Sequence, residues 1–400
     1  MGRTDGRGRL SASRHLVRSL TLVSLFVLLT AAPALAQFQT VTRADDKSLA
    51  LNPVWTRLAD VFGEAGSVES VEFSYDGLRI VSGTKFDNTV ILWRTSDGTE
   101  LWRRTLDAEI ERVAWNPDGS QVASVSEDRK LIVFNAETGA TEHEATLGAG
   151  IDGLAWSHDG RLLAAGEEYS RSASGARQGL LRVFEMPAFR EVMTLDLGET
   201  INEVDFSEDD QFVMAVGQQG KVRVWDTGTE RLVLDIDEDV TVSDDNDLHH
   251  FIAGQFSPAG DMIAVGDTEG LLHVYAFPSG ELVRRFDRSG HKIETVQWTP
   301  DGQYLATAGN DPYIRFFRTA DIAGEGRVYT ALQVHAGDQA EYIDFSRNGA
   351  LLASAHQDGA IRLWILMGED PTLNERRHRE VRAEQDAADR AREEADSRQP

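Results

Sequence analysis

The chain has 400 residues, of which 66 are acidic and 40 basic, and its formal net charge at pH 7 is −26. This excess of carboxylates would repel phosphate groups, so we exclude nucleic acid as a partner. The chain has no cysteine, which excludes disulfide bonds and thiolate metal sites. Such an acidic surface suits a saline medium, where salt screens the repulsion, but a soluble acidic protein of any origin can also have one.

The first 36 residues have the pattern of an export signal. A segment rich in arginine precedes an apolar run from Leu20 to Ala32, which is too short to span a bilayer comfortably. Ala34–Ala36 then offers a small-residue cleavage site before Gln37. We predict a signal peptide over residues 1–36 and an exported, periplasmic or secreted chain without a stable membrane span. The alternative is an uncleaved anchor.

Residues 37–54 are polar, and we predict a short leader there. From residue 55 to residue 366 one pattern recurs seven times, with a short apolar run, a turn, a run of small residues, a second turn and an alternating run. Each alternating run ends in an aromatic residue, and successive aromatics lie between 41 and 50 residues apart. These aromatics are Trp93, Phe134, Phe184, Trp225, Tyr275, Phe317 and Trp364. A period of this length with several short strands predicts a radial repeat fold.

The last repeat has no outer strand of its own. The segment Trp55–Phe62 resembles the outer-strand segments that close the other repeats. We therefore expect Trp55–Asp60 to pair with the last repeat, which would close the ring and leave it without an open edge.

These units resemble WD40 repeats, and repeat 7 matches that family most fully. The resemblance implies an all-β fold, a seven-bladed β-propeller of four-stranded antiparallel blades, closed here by an N-terminal strand. It also implies a structural hydrogen-bonding set of His, Ser, Asp and Trp. In repeat 7 the matching residues are His335, Ser354, Asp358 and Trp364.

Two insertions interrupt the period, Glu168–Gly179 and Asp235–His249. The resemblance places both on the top face of the propeller, where they either mark a binding surface or are tolerated loops. By the same resemblance, a third insertion, Ala320–Arg327, would fall on the opposite face. The acidic insertion opens with the spacing of a calcium loop, but it lacks the required glycine and has Asn246 where glutamate should stand. We therefore predict no metal site.

One position near the start of each repeat is mostly acidic, and the resemblance places it at the rim of the central channel on the top face. The residues there are Glu69, Glu111, Asp152, Asn202, Ile252, Glu294 and Glu341. Clustered carboxylates repel one another, and a cationic ligand would relieve that repulsion. We predict a partner-binding ring at the six polar positions; the alternative is a solvated rim on an acidic protein.

The chain has no G-x-S-x-G, H-E-x-x-H, P-loop or Rossmann motif. We predict a non-catalytic, monomeric scaffold without cofactor, which binds protein or peptide partners through its top face. The alternative is a dehydrogenase-like or lactonase-like propeller enzyme with a cofactor or metal in the channel. Residues 367–400 are charged and rich in alanine, and we predict a frayed helix or a disordered tail that could also dock a partner.

Overall fold

The computed structural model describes residues 40–42, 49–60, 66–238, 250–286, 289–324 and 328–367. The predicted signal, the tail from residue 368 onward and residues 239–249 of the acidic insertion lie outside these ranges. Within the described ranges, no helix is long and apolar enough to cross a membrane.

The first half of the described chain forms blades 1 to 3. Two strands precede them, β1 (Thr40–Thr42) and β2 (Ala50–Leu58). Blade 1 contains β3 (Val68–Phe73), β4 (Arg79–Thr84), β5 (Thr89–Arg94) and β6 (Glu100–Thr105). Blade 2 contains β7 (Ile110–Trp115), β8 (Gln121–Ser126), β9 (Lys130–Asn135) and β10 (Thr141–Thr146). Blade 3 contains β11 (Ile151–Trp156), β12 (Leu162–Glu167), β15 (Leu180–Glu185) and β16 (Arg190–Asp196), with a separate hairpin of β13 (Ser170–Arg171) and β14 (Arg177–Gln178).

The second half forms blades 4 to 7. Blade 4 contains β17 (Ile201–Phe206), β18 (Phe212–Gly217), β19 (Lys221–Asp226) and β20 (Leu232–Asp237). Blade 5 contains β21 (Phe251–Phe256), β22 (Met262–Asp267), β23 (Leu272–Ala276) and β24 (Leu282–Arg285). Blade 6 contains β25 (Ile293–Trp298), β26 (Tyr304–Gly309), β27 (Asp311–Arg318) and β28 (Thr330–His335), with α1 (Thr319–Ile322) before β28. Blade 7 contains β29 (Ala340–Phe345), β30 (Leu351–His356), β31 (Ala360–Met367) and the early strand β2.

The structure confirms the predicted seven-bladed propeller of four-stranded antiparallel blades. The ring closes as expected, because β2 pairs antiparallel with β31, with Trp55 opposite Leu363. The closing strand begins at Ala50, however, five residues before the predicted boundary. Leu49 and Leu51 are each only 1 % exposed in the core between blades 6 and 7, so this part of the predicted leader belongs to the fold. The early strand β1 also adds a fifth strand to blade 6 by pairing with β28.

Small residues in the second strand of a blade let the next blade approach closely. A Cβ atom added at Gly166 would lie 2.4 Å from Ile201 Cγ2 of the following blade, and one added at Gly266 would lie 2.4 Å from Ile293 Cγ2. Both isoleucines are buried at the start of an inner strand. The small-residue runs in the sequence therefore serve contact between blades.

A polar side chain near the end of an inner strand links neighbouring blades. In each case the side chain accepts a hydrogen bond from a backbone N–H of the next blade. That N–H belongs to an inner strand and is not used in pairing with the second strand of its own blade. The donor and acceptor pairs are Trp115 N to Glu72 Oε2 (3.1 Å), Phe256 N to Asp205 Oδ2 (2.8 Å), Trp298 N to Gln255 Oε1 (2.6 Å) and Phe73 N to Asp344 Oδ2 (2.7 Å). The last pair joins blade 7 to blade 1, at the seam of the ring.

The buried hydrogen-bonding network of blade 7 contains a different histidine from the expected one. Trp364 Nε1 donates to Ser354 Oγ at 2.8 Å, and that oxygen lies 2.7 Å from His356 Nε2. Residues two apart on a strand share a face, so His356 lies beside Ser354 on β30. Burial and then the charge of Arg362 lower the pKa of His356 to about 3, so the ring is neutral at pH 7.

His335 therefore lies outside this network, and the described hydrogen bonds of Asp358 go to other groups, although its charge acts on His356. His335 lies at the end of β28, where its ring is 5.2 Å from that of Tyr313 and its Nδ1 accepts a hydrogen bond from Gly337 N. The carboxylate of Asp358 pairs with Arg362, whose Nη1 lies 3.0 Å from Oδ1. Burial favours the neutral carboxyl group of Asp358, but the hydrogen bonds from Arg362 favour the carboxylate more strongly, so the pKa of Asp358 is lowered overall.

Replacing Trp364 with alanine should destabilise the fold by about 3–5 kcal/mol, since it removes a large, fully buried side chain and leaves a cavity. Trp364 is 0 % exposed. The measurement is the free energy of unfolding in urea, with the half-exposed Tyr329→Ala as a control that should change it little. A loss below about 1 kcal/mol for Trp364→Ala would contradict its place in the core.

Candidate functional site

The seven ring positions line one cavity, at the end of the channel where the inner strands begin. Its volume is about 680 Å³, and we call it the upper mouth. Its lining includes Glu69, Glu111, Asp152, Asn202, Ile252, Glu294 and Glu341 together with Ser67, Lys85, Phe86, Arg112, Lys292, Asn310 and Gln357. The structure thus brings together all six residues of the predicted partner-binding ring.

A local irregularity in each blade positions the ring residues. Each one is the second residue of its inner strand and follows a buried residue, such as Val68 or Ile110. In all seven blades the pairing register with the second strand shifts at this residue. An extra residue in one strand is how a β-bulge redirects a side chain. The ring side chains therefore face the channel.

Partial burial makes several of the ring carboxylates costly to ionise, as their raised pKa values show. Burial raises the pKa of Glu111 to about 7, with a further contribution from the charge of Glu69. Burial, followed by the charge of Glu294, raises the pKa of Glu341 to about 7. The pKa of Asp152 is raised well above its usual value by burial and by Glu111. A cation in the upper mouth would stabilise the ionised forms of these groups.

The chain supplies two lysines to the upper mouth, which the sequence analysis missed. Lys85 Nζ lies 3.5 Å from Glu109 Oε2, and Lys292 Nζ lies 2.8 Å from Glu294 Oε2. Burial opposes the charge of Lys85, but Glu69, Glu111 and Glu109 raise its pKa overall. The sequence contains only five lysines, so two of them at a ring of carboxylates could have been noticed.

An ion pair forms the floor of the upper mouth. Arg112 Nη2 of blade 2 lies 3.2 Å from Glu203 Oε2 of blade 4, and their side chains are 11 % and 7 % exposed. The guanidinium group of Arg112 also lies 4.4 Å from the ring centre of Tyr342 in blade 7. These three side chains cross the channel and separate the upper mouth from its other end. Arg112, Glu203 and Tyr342 are each the third residue of an inner strand, so the repeats place them at one level of the channel. Which of the seven residues at that level meet is not given by the repeat pattern.

Several polar atoms of the upper mouth have no hydrogen-bond partner within the described residues. They are Ser67 Oγ, Glu111 Oε1, Asn310 Oδ1 and Arg112 Nε. Ser67 is only 6 % exposed. Three of the four atoms are oxygens that can accept hydrogen bonds, and a buried acceptor without a donor costs free energy. A ligand that donates hydrogen bonds would remove that cost.

The other predicted features have different surroundings. Asn202 Nδ2 donates to the carbonyl oxygen of Phe251 at 2.6 Å, so this ring residue also links blades 4 and 5. Three carboxylates, Glu109, Glu111 and Glu127, have oxygens within 4.8 Å of one another and could hold a metal ion. Lys85 already pairs with this cluster through Glu109, so the chain itself supplies a positive charge there.

The insertion in blade 3 folds as the hairpin of β13 and β14 beside the upper mouth. Arg171 and Arg177 both lie against the ring of Tyr169, at 5.5 and 4.4 Å from its centre. Tyr169 N donates to Thr200 Oγ1 of blade 4 at 2.9 Å, which anchors the base of the hairpin. The hairpin thus places two arginines next to an acidic mouth.

Family comparisons agree with the fold. Residues 172–371 match the family described as Nucleolar protein 10-like, N-terminal domain, and residues 44–184 match the one described as Outer membrane protein assembly factor BamB. Because the first match covers half of the chain, the chain belongs to that family of β-propeller domains, among the WD40-type propellers.

Individual relatives are distant WD-repeat proteins. WD repeat-containing protein 55 of Bos taurus is 30 % identical over 133 residues, which is 32 % of this chain and 34 % of the relative. Eukaryotic translation initiation factor 3 subunit I of Botryotinia fuckeliana is 29 % identical over 163 residues, which is 38 % of this chain and 47 % of the relative. Echinoderm microtubule-associated protein-like 1 of Rattus norvegicus is 28 % identical over 112 residues, or 28 % and 13 % of the two chains. The chain thus spans less than half of each relative.

The double variant Glu111→Gln/Glu341→Gln should be more stable than the native chain at pH 8 and differ little at pH 4. In the folded chain both pKa values are about 7, against about 4.3 for an unperturbed glutamate. The folded state therefore holds protons that the unfolded state has released. This contribution to stability is complete below about pH 4 and is lost as the pH rises through 7.

Urea unfolding at several pH values measures this difference. A control that replaces the exposed Glu137 and Glu230 with glutamine should follow the native chain. If the ring variant and the native chain showed the same pH dependence, the two carboxyl groups would not be buried in the way described.

Proposed function

We propose that this chain is a non-catalytic scaffold that binds a protein or peptide partner through a cationic side chain placed in the upper mouth. The observation that carries the proposal is the ring of partly buried carboxylates, of which Glu111 and Glu341 have pKa values raised to about 7 by burial. Three residues that line the same cavity, Ser67, Glu111 and Asn310, each have a buried acceptor oxygen with no partner within the described residues. A donor with positive charge satisfies both features at once.

The comparisons support a binding role in general terms. WD40 propellers commonly act as protein-binding scaffolds, and none of the three relatives above is named for an enzymatic activity. The enzyme alternative requires convergent catalytic groups. The described lining of the upper mouth offers carboxylates, amides, lysines and one arginine, but no histidine.

Neutralising the ring should slow association with the partner. The variant is Glu69→Gln/Glu111→Gln/Glu341→Gln, and its control is Glu137→Gln/Glu230→Gln/Glu281→Gln, which removes three exposed charges outside the upper mouth. The partner is captured with the native chain, and stopped-flow association is measured at low and high salt. We expect association about tenfold slower at low salt and a flatter salt dependence for the ring variant, since steering falls with the local charge.

The association is measured at pH 9, where Glu111 and Glu341 are ionised despite their raised pKa values, so that the two triple variants change the net charge equally. Equal slowing in both would mean that overall charge steers the partner. An unchanged rate in the ring variant would mean that the partner binds elsewhere, for example at the hairpin of β13 and β14.

We also propose that the chain works outside the cytoplasm, after removal of residues 1–36. The support is the basic segment, the apolar run Leu20–Ala32 and the small-residue site before Gln37. Mass spectrometry of the protein from the extracytoplasmic fraction should give an N-terminus at Gln37. Recovery of the full-length chain from membranes would instead indicate an anchor.

A further inference from the structure

The channel has a second cavity at the end where the inner strands finish. Its volume is about 370 Å³, and we call it the lower mouth. Arg112, Glu203 and Tyr342 cross the channel between the two cavities. The lower mouth is therefore a separate compartment, and its volume falls in the range of about 300–1,000 Å³ that is usual for small-ligand pockets.

Three carboxylates line the lower mouth, and each has one oxygen committed to the fold. Glu72, Asp205 and Asp344 each accept a backbone N–H of the neighbouring blade through one oxygen. Within the described residues none of the three takes part in a salt bridge. Burial raises the pKa of Asp205 and of Asp344 to about 7. Burial and then the charge of Asp344 raise the pKa of Glu72 well above its usual value.

The chain places a guanidinium group of its own at the rim of the lower mouth. Arg347, in the turn after β29, lies 3.9 Å from the ring centre of Tyr75 in blade 1 and donates to its hydroxyl oxygen. Arg347 Nη2 also lies 3.5 Å from Glu208 Oε1 of blade 4. Both Arg347 and Glu208 are about half exposed, at 50 % and 51 %. The rim thus already holds a guanidinium between an aromatic face and a carboxylate, although the contact is open to solvent.

One buried donor of the lower mouth is also unpartnered. Trp298 lines the cavity and is 3 % exposed, and its indole N–H has no hydrogen-bond partner within the described residues. At the equivalent position of blade 2, Trp115 Nε1 donates to the carbonyl oxygen of Glu72 at 3.2 Å. A ligand with both a cationic donor group and an acceptor oxygen would complement the carboxylates and this indole. An arginine residue within a peptide has both, in its side chain and its backbone carbonyl.

We propose that the lower mouth is a second binding site, for an arginine side chain of a peptide partner, and that Arg347 covers its rim until the partner displaces it. The incoming guanidinium passes between Tyr75 and Glu208 and reaches Asp205 and Asp344. A planar guanidinium stacks on an aromatic ring and donates in pairs to carboxylates, which an ammonium group does not do. The stacking of Arg347 on Tyr75 at the rim is an example of the first of these two contacts.

Nα-acetyl-arginine N-methylamide, which has one guanidinium group and backbone carbonyl oxygens but no carboxylate, is the probe for the test. All proteins carry Glu69→Gln/Glu111→Gln/Glu341→Gln, so that binding at the upper mouth does not contribute. Isothermal titration calorimetry compares this background with Arg347→Ala, which opens the rim. The matched control is Arg161→Ala, in the equivalent turn of blade 3, where the arginine pairs with Asp159 of its own turn.

We expect Arg347→Ala to bind this arginine derivative about tenfold more tightly, if the native rim is open about a tenth of the time. Arg161→Ala should show no gain, and the matching lysine derivative, Nα-acetyl-lysine N-methylamide, should gain little from either change. Adding Asp205→Asn/Asp344→Asn to Arg347→Ala should abolish the gain. Asparagine can still accept the backbone N–H of the neighbouring blade, so these variants keep the links between blades.

A second measurement does not depend on the asparagine variants. In Arg347→Ala with ¹⁵N-labelled tryptophan, the arginine derivative should shift the indole N–H resonance of Trp298, assigned through Trp298→Phe. The proposal is overturned if Arg347→Ala gives no gain, if Arg161→Ala gives the same gain, if the gain survives Asp205→Asn/Asp344→Asn in a folded protein, or if the Trp298 resonance does not move.

Discussion

The structure depends on closure of the ring by β2. Each blade buries both faces of its sheet against neighbouring blades, so an open ring would expose the cores on either side of the seam. Pairing of β2 with β31 completes blade 7. Trp55 Nε1 then donates to the carbonyl oxygen of Thr95 at 2.8 Å, and Asp344 accepts Phe73 N. Backbone pairing, an indole and a carboxylate thus join the two ends of the propeller.

The channel gathers carboxylates whose ionisation costs more free energy there than it would on the exposed surface. Carboxylates at both mouths are buried enough for several of their pKa values to rise to about 7. Burying such groups without full compensation costs stability. Some of this charge has a structural use, because Asp205 and Asp344 connect blades. Within the described residues, Glu69 and Glu111 accept no hydrogen bond that links two blades, and sites of this kind are where proteins often give up stability for function.

Most of the fold could be predicted because repetition allowed the seven units to be compared with one another. The ring residues were found in the same way, since they share one position in every repeat. The same comparison could have revealed the acceptors Glu72, Asp205 and Asp344, which also share a position. It would also have shown that Arg112 and Glu203 share one repeat position and that Arg347 and Glu208 share another. It could not have identified which of the seven residues at each position meet, because that depends on side-chain reach across the channel.

The sequence by itself determined the number of blades, the closing strand and the membership of the acidic ring. These features follow from local periodicity and from the alternation of side chains along a strand. Both are properties of the strand itself and do not depend on which residues pack against it. Only the tertiary structure decided that His356 rather than His335 bonds to Ser354, that Lys85 and Lys292 share the upper mouth, and that an ion pair divides the channel. Those contacts depend on which side chains meet after seven blades close into a ring, and spacing along the chain does not specify distances across it.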